Sequence, residues 1–389
     1  MKILSVVGAR PNFMKIAPFI KAINRHNTEH AGNEIDHILV HTGQHYDYNM
    51  SGAFFNDLGI PEPDINLGVG SGSHAEQVGR TMIEFEKILR IEKPDWVVVV
   101  GDVNATLACS VTAKKENIKC CHIEAGLRSG DMTMPEEINR LVTDRISDLL
   151  LAQDNISMNN LLREGIPENR LKLVGNIMID TLDSNIDLAS VLDINSIINN
   201  NYLSEADSEG QRYLINKEEP FAVITLHRPS NVDSEEVLKN LSSFFSENLT
   251  SKMIILWPVH PRTEHNLKKS GIWQELEKNR NIYLLKPLTY LEMLKLNLEA
   301  SILLTDSGGL QEECTVTGTP CITLRNNTER PATLRENGGV SILVGNNVKK
   351  IEDAIRSFEN YKKEPKRPYL WDGKTAVRCL QAIIGFQDV

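Results

Sequence analysis

Ile302-Leu303-Leu304-Thr305-Asp306-Ser307-Gly308-Gly309-Leu310-Gln311-Glu312-Glu313 runs an apolar segment of strand length into a glycine turn and then into a helix-like stretch. It reads as a β-strand feeding an α-helix. A helix start offers backbone N–H groups with no intrahelical acceptor, together with the positive end of the helix dipole. Two successive glycines carry no side chain to hold a ligand away from that backbone. The segment is therefore a candidate phosphate site at the C-terminal edge of a parallel sheet. A plain strand–turn–helix corner has the same pattern, so the rest of the chain must decide.

Working outward, the same alternation recurs. Strands are predicted over 3–7, 37–41, 96–100, 119–123, 149–151 and 171–174. Helices are predicted between them over 13–25, 49–58, 74–91, 105–116, 136–146 and 155–164. The strands are nearly all apolar, as strands covered on both faces are. Residues 185–211 break the pattern, being rich in Asn, Ser, Asp and Glu. Strands then resume over 221–226, 253–257, 282–285, 302–305, 321–324 and 341–344. Alternation of this kind predicts an α/β protein with two Rossmann-like, doubly wound parallel-sheet domains facing a cleft. The expected domains are 1–184 and 185–370, with a terminal helix in 371–389 packing back on the first.

Composition narrows the function. The chain has 389 residues, 41% hydrophobic and 24% charged, an ordinary balance for a soluble protein of two domains. Nothing approaches a membrane-spanning run, and Met1-Lys2-Ile3-Leu4-Ser5-Val6-Val7-Gly8 reads as a first core strand, not a signal. The six cysteines form no CxxC pair and several lie in apolar runs, which predicts reduced core thiols, a cytoplasmic protein and no metal site. A net charge of −10 argues against nucleic acid or an anionic membrane as partner. Gly68-Val69-Gly70-Ser71-Gly72-Ser73-His74 follows a proline-containing loop where a dinucleotide fingerprint needs a strand, so it is read as a lead-in to the helix at 74.

Ligands of open α/β sheets sit beyond the carboxyl ends of the strands. After the first strand come Arg10 and Lys15; after the third, Gly101-Asp102; after the fourth, Glu124 to Arg128, then Glu136-Glu137 and Arg140. In the second half the strand ends carry His227-Arg228-Pro229, His260-Pro261-Arg262 and Thr328-Glu329-Arg330-Pro331. Asp102 can also be read as a helix cap, and Glu137 with Arg140 as a helix-face pair. His26, His30 and His37 are read as solvated or packing residues, and His45 is ambiguous. Glu124 ends an apolar strand, where a carboxylate must be paired or functional. The first half thus gathers Asp102, Glu124 and Glu136, groups suited to acid/base work. The second gathers a glycine turn, His227 and Arg330, suited to an anionic handle.

These residues resemble the non-hydrolysing UDP-N-acetylglucosamine 2-epimerases, nearly end to end. The resemblance implies the two-domain fold shared with a large class of glycosyltransferases (GT-B) and a UDP-sugar substrate, with no metal or cofactor. It implies that Ser307, Gly308 and Gly309 bind the diphosphate and Glu313 the ribose. Arg10, His227 and Arg330 would line the diphosphate and sugar, with Lys15 nearby. Asp102, Glu124 and Glu136 would be the catalytic carboxylates, with His227 serving the departing diphosphate. A homodimer and a role in surface polysaccharide biosynthesis are likewise implied. Some positions depart from the family pattern: Ala9 and Asn12 in the opening motif, and Leu288 and Met293 near the expected uracil end. They lean toward a branch that includes epimerases of UDP-2,3-diacetamido-2,3-dideoxyglucuronate, whose uronate would take a cation such as Arg128 or Lys15. Three further activities compete with these two: a hydrolysing epimerase, a glycosyltransferase and a nucleotide-sugar sensor.

Overall fold

The computed structural model describes residues 1–43, 61–203, 215–216 and 219–387. His45 and the helix expected over 49–58 lie outside these residues, as does the side chain of Arg10. The chain divides into two compact units, Met1–Ser184 with Pro368–Val389, and Asn185–Arg367.

In the first unit β1 (Lys2–Val7), β2 (Asp36–His41), β3 (Ile65–Asn66), β4 (Trp96–Val100), β5 (Lys119–Ala125), β6 (Leu149–Ala152) and β7 (Leu171–Leu173) form one parallel sheet. Their order is β3-β2-β1-β4-β5-β6-β7. The chain therefore winds outward from β1, returns to lay β4 against β1, and winds outward the other way. The short β3 falls in the stretch read from sequence as a loop. Two residues of edge strand leave too little alternation to register as a pattern.

The run Val97-Val98-Val99-Val100 is buried throughout. Val97 and Val99, with Leu4 and Val6, pack on Phe85, Leu89, Cys109 and Ala113 of the helices His74–Glu92 and Asn104–Lys115. The alternate residues are buried on the opposite face, which is why the strand shows no polar alternation. Each such side chain contributes on the order of 1.5–3 kcal/mol on leaving water.

Local chemistry sets where the helices begin. Ser73 Oγ accepts the Glu76 N–H at 3.3 Å, and Glu76 Oε2 accepts the Ser73 N–H at 2.9 Å. That capping box turns the glycine run 68–72 into a helix lead-in. The helix Arg10–Glu29 has Pro11 in its first turn, where a missing N–H costs nothing.

After Arg367 the chain rejoins the first unit. The indole N–H of Trp371 donates to the Gln153 carbonyl at 3.0 Å, and Asp180 accepts the N–H groups of Thr375 and Ala376 at 3.1 and 2.8 Å, capping the helix Thr375–Ile384.

In the second unit β8 (Phe221–Thr225), β9 (Ile254–Pro258), β10 (Ile282–Leu285), β11 (Ile302–Thr305), β12 (Cys321–Thr323) and β13 (Ser341–Leu343) form a parallel sheet in the order β10-β9-β8-β11-β12-β13. Ala222 and Ile224 pack into one core layer with Trp257 and Trp273, while Phe221 and Val223 pack into the other with Leu256 and Leu303. The polar stretch before this sheet opens with helical pieces, Ile177–Ser190 and Ile194–Asn201. All six cysteines are buried and unbridged. No helix among the described residues is long and apolar enough to cross a membrane.

In both sheets the strand order reverses between a unit's first and fourth strands. The chain ends after β1 and β4, and after β8 and β11, are therefore brought together, as at the ligand crevice of doubly wound sheets.

Candidate active site

At the first reversal point, Asn12 accepts the N–H of Ala9 at 3.0 Å and donates to the Val100 carbonyl at 2.8 Å, tying the β1 turn to the end of β4. One turn further on, Lys15 forms an ion pair with Glu124, and both are buried. Glu124 has left-handed backbone, φ 74°, where the β5–β6 pairing shifts register between Ile123 and Ala125. Such backbone in a non-glycine residue costs roughly 1–3 kcal/mol and is held only when its surroundings over-determine it. Here the irregularity re-aims one side chain at the end of the strand.

Gly101 lies beneath this pair. A Cβ there would stand 3.1 Å from Lys15 Nζ and 3.4 Å from Glu124 Oε2. Its carbonyl accepts from His122 Nε2 at 2.8 Å, and His122 Nδ1 lies 2.6 Å from Asp144. Burial would raise the Asp144 carboxyl, but His122 and Arg128 outweigh it and hold the group below the usual range.

Asp102 is not a helix cap. The following helix is capped by Val103 without a side-chain bond, and Asp102 instead receives Arg140 Nη1 at 2.5 Å. Arg140 also donates to Glu137, at 3.0 Å from Nε, so the helix-face pair is present with Asp102 added to it. Glu137 further accepts the N–H groups of Ser129 and Gly130 at 3.0 and 2.9 Å. Glu136 is half-buried in the first turn of the same helix, Pro135–Ile146. Arg128 is bound to Asp144 at 2.7 Å and to Glu164 by two further bonds of 2.7 Å.

At the second reversal point, Thr225 and Thr305 are register partners, so His227 and Asp306 emerge side by side. Asp306 is fully buried. Its Oδ1 lies 2.7 Å from His227 Nδ1, and its Oδ2 accepts the N–H groups of His227 and Arg228 and the Asn231 amide at 3.0, 2.9 and 3.0 Å. Burial would raise this carboxyl; the His227 hydrogen bond and charge, Asn231 and the Arg228 N–H together hold it low. The His260 ring lies 5.8 Å from that of His227.

The helix Gly308–Thr317 begins here, and its N-cap Ser307 makes no side-chain cap bond. The two glycines serve different ends. A Cβ on Gly308 would run into the Arg330 guanidinium, whereas one on Gly309 would meet open space. Arg330 is buried between Glu312, 3.0 Å from its Nε, and Glu329. Arg325 binds Glu329 from the other side at 2.7 Å. Burial would raise the Glu329 carboxyl, and the two guanidinium charges hold it far below the usual range.

Glu313 is not part of that cluster. It faces Asn297 and Tyr290, and burial pushes its carboxyl up to about 7. Leu288 and Met293 are partly buried against the core.

The structure thus joins Lys15 to Glu124, Asp102 to Arg140, and Arg330 to the helix start beside Ser307 and Gly308. Sequence reading missed Asp306 and the Asp144–His122 pair. The criterion that singled out Glu124, a carboxylate ending an apolar strand, applies equally to Asp306. No cluster of three or more metal-ligating side chains occurs among the described residues.

Two parallel sheets with switch-point sites define a protein of the GT-B-like class. A Streptomyces glycosyltransferase solved with thymidine diphosphate shares this fold, at 12% identity and a TM-score of 0.51 over 98% of this chain and 96% of that one. The family model for UDP-N-acetylglucosamine 2-epimerase matches residues 27–384, and the chain belongs to that family of isomerases. A UDP-N-acetylglucosamine 2-epimerase of Methanocaldococcus jannaschii is 42% identical over 98% of this chain and 99% of the relative. A crystal structure of the M. jannaschii enzyme with UDP-GlcNAc and UDP superposes with a TM-score of 0.85, at 41% identity and 99% coverage of both chains. A UDP-2,3-diacetamido-2,3-dideoxy-D-glucuronate 2-epimerase of Pseudomonas aeruginosa is 36% identical over 85% of this chain and 84% of the relative.

Proposed function

We propose that the chain interconverts UDP-N-acetylglucosamine and UDP-N-acetylmannosamine by eliminating UDP and adding it back. No carbonyl acidifies the C2 proton, so direct deprotonation is too costly. If the C1–O bond to UDP breaks as the proton leaves, the C–H electron pair becomes the C1=C2 bond of 2-acetamidoglucal, and the C1–O pair departs with the diphosphate. Protonation of C2 from the other face and return of UDP give the epimer.

In this reading Asp102 and Glu136 exchange the C2 proton, and Glu124 supports the cationic character at C1. His227, Arg10 and Arg330 with the Ser307-Gly308-Gly309 backbone hold the diphosphate, and Glu313 the ribose. The observation that carries it is the pairing of β8 with β11. That pairing sets an imidazole beside a helix start with an unused cap side chain, a site suited to a departing diphosphate. The relatives' names support the same substrate.

The alternative is the sister reaction on a UDP-diacetamido-uronate; the cations it would use, Arg128 and Lys15, are ion-paired with Asp144 and Glu164 and with Glu124. A homodimer in the cytoplasm supplying surface polysaccharide synthesis belongs to the proposed reading, and sedimentation measures its oligomeric part.

The test is incubation with UDP-GlcNAc in D2O. Deuterium is expected at C2 of both epimers, with UDP still attached at equilibrium. Epimerisation without deuterium uptake, or free sugar as the main product, would overturn the proposal. Turnover of the diacetamido-uronate in preference to UDP-GlcNAc would favour the sister reaction.

A further inference from the structure

We infer that Asp306 is a positioning residue that fixes the ring form of His227, an assignment that rests on His227 serving the diphosphate. Asp306 is fully buried, and the His227 side chain is 38% exposed. With Nδ1 turned to the buried carboxylate, Nε2 on the far edge of the ring is the atom offered to a ligand. The carboxyl is held low, so it accepts and Nδ1–H donates. Nε2 is then the nitrogen that gains or loses the second proton. When the ring carries both protons, Asp306 holds Nδ1–H and leaves Nε2–H to donate a charge-assisted hydrogen bond to a departing diphosphate.

The other Asp306 contacts make the ring form testable. Its Oδ2 takes three N–H donors, from His227, Arg228 and Asn231. An asparagine in this place must turn its single oxygen to those donors. Its NH2 group then faces Nδ1 of His227, which must accept. Asp306→Asn therefore inverts the neutral ring to Nε2–H and sets an NH2 group against Nδ1–H of the doubly protonated ring, while keeping size and shape.

The experiment records 15N shifts of histidine-labelled full-length protein, with His227→Gln identifying the ring. Alongside it, kcat and KM are measured with UDP-GlcNAc. In the wild-type chain Nδ1 is expected to carry the proton of the neutral ring, and in Asp306→Asn Nε2 is. The variant's kcat should fall about 10- to 100-fold with KM nearly unchanged, the scale of weakening one preorganised, charge-assisted donor. A wild-type ring with bare Nδ1, an unchanged ring form in the variant, or an inverted ring with undiminished kcat would each overturn the assignment. If the variant fails to fold, the wild-type spectrum alone supports or overturns it. Absence of turnover by the wild-type chain would instead defeat the proposed function, and the ring form would still report on Asp306.

Discussion

Glu124 and Asp306 are both buried carboxylates at strand ends, Glu124 at the C-terminal end of β5, next to β4, and Asp306 just past β11, which flanks the point of order reversal. Their partners differ in kind. Glu124 is met by the ammonium of Lys15, from a helix more than a hundred residues earlier in the chain. Asp306 is met by two backbone N–H groups, an amide and an imidazole from the turn after β8. A carboxylate paired with the ammonium of a long side chain can exchange that partner without moving the backbone. One satisfied by backbone donors is fixed, and its negative charge is spent on the imidazole. Under the proposed function, the first group is presented to the substrate and the second presents another side chain.

The largest effects should break that contrast on the chemical side. Asp102→Asn or Glu136→Gln should lower C2 exchange about 10²–10⁴-fold, the usual contribution of general acid–base groups, with UDP affinity by calorimetry intact. Full exchange in either variant would remove it from proton transfer.

Next comes the pair itself. Lys15→Met leaves Glu124 buried without its cation and should cost about 3–5 kcal/mol by urea unfolding. The double variant Lys15→Met with Glu124→Leu should regain most of that loss. No recovery would mean that Lys15 stabilises through packing, not charge.

Glu313 sharpens the rule with a third case. It is buried with neutral partners, Asn297 and Tyr290, and a like charge at Glu312. Its folded value, about 7, lies above the ordinary 4.5. The stability linked to its proton is therefore complete below the ordinary value and is lost as pH rises through about 7. Glu313→Gln should make the protein more stable than wild type at pH ~8.5, by an amount on the order of a few kcal/mol, with the advantage fading toward pH ~4.5. Thermal melts across pH decide this, and a pH-independent difference would contradict the assignment.

The smallest effect distinguishes the two glycines. Gly308→Ala meets the Arg330 guanidinium and should cost about 1–3 kcal/mol. Gly309→Ala has open space, so it should be within about 1 kcal/mol of wild type, even gaining helix propensity. It should instead weaken UDP binding, if Gly309 is where the diphosphate approaches the backbone. Equal destabilisation of both would show that the turn, not the guanidinium, demands glycine.

Much of this was legible from residues alone. The apolar runs placed twelve strands to within two residues at most of their ends, because both sheet faces are covered and no polar alternation blurs the signal. Asp102 was ambiguous because a cap and an ion pair use the same residue type after a strand, and only Arg140 resolves it. Arg330 read as an anion-binding cation; Glu312 and Glu329 flank it in the structure, and neither could be assigned to it by spacing.

The chain by itself determined the alternation of strands and helices, the glycine turn after β11 and the carboxylates at strand ends, since each depends on neighbours a few positions away. The tertiary structure decided which strand ends meet. β8 lies beside β11, some eighty residues on, so His227 is joined to Asp306; β5 beside β4 brings Glu124 over Gly101, where the Arg10–Glu29 helix supplies Lys15. Pairing of distant strands is chosen by the burial of whole faces, a cooperative quantity that no local run of residues encodes, and a side chain's role follows from the partner that this choice delivers.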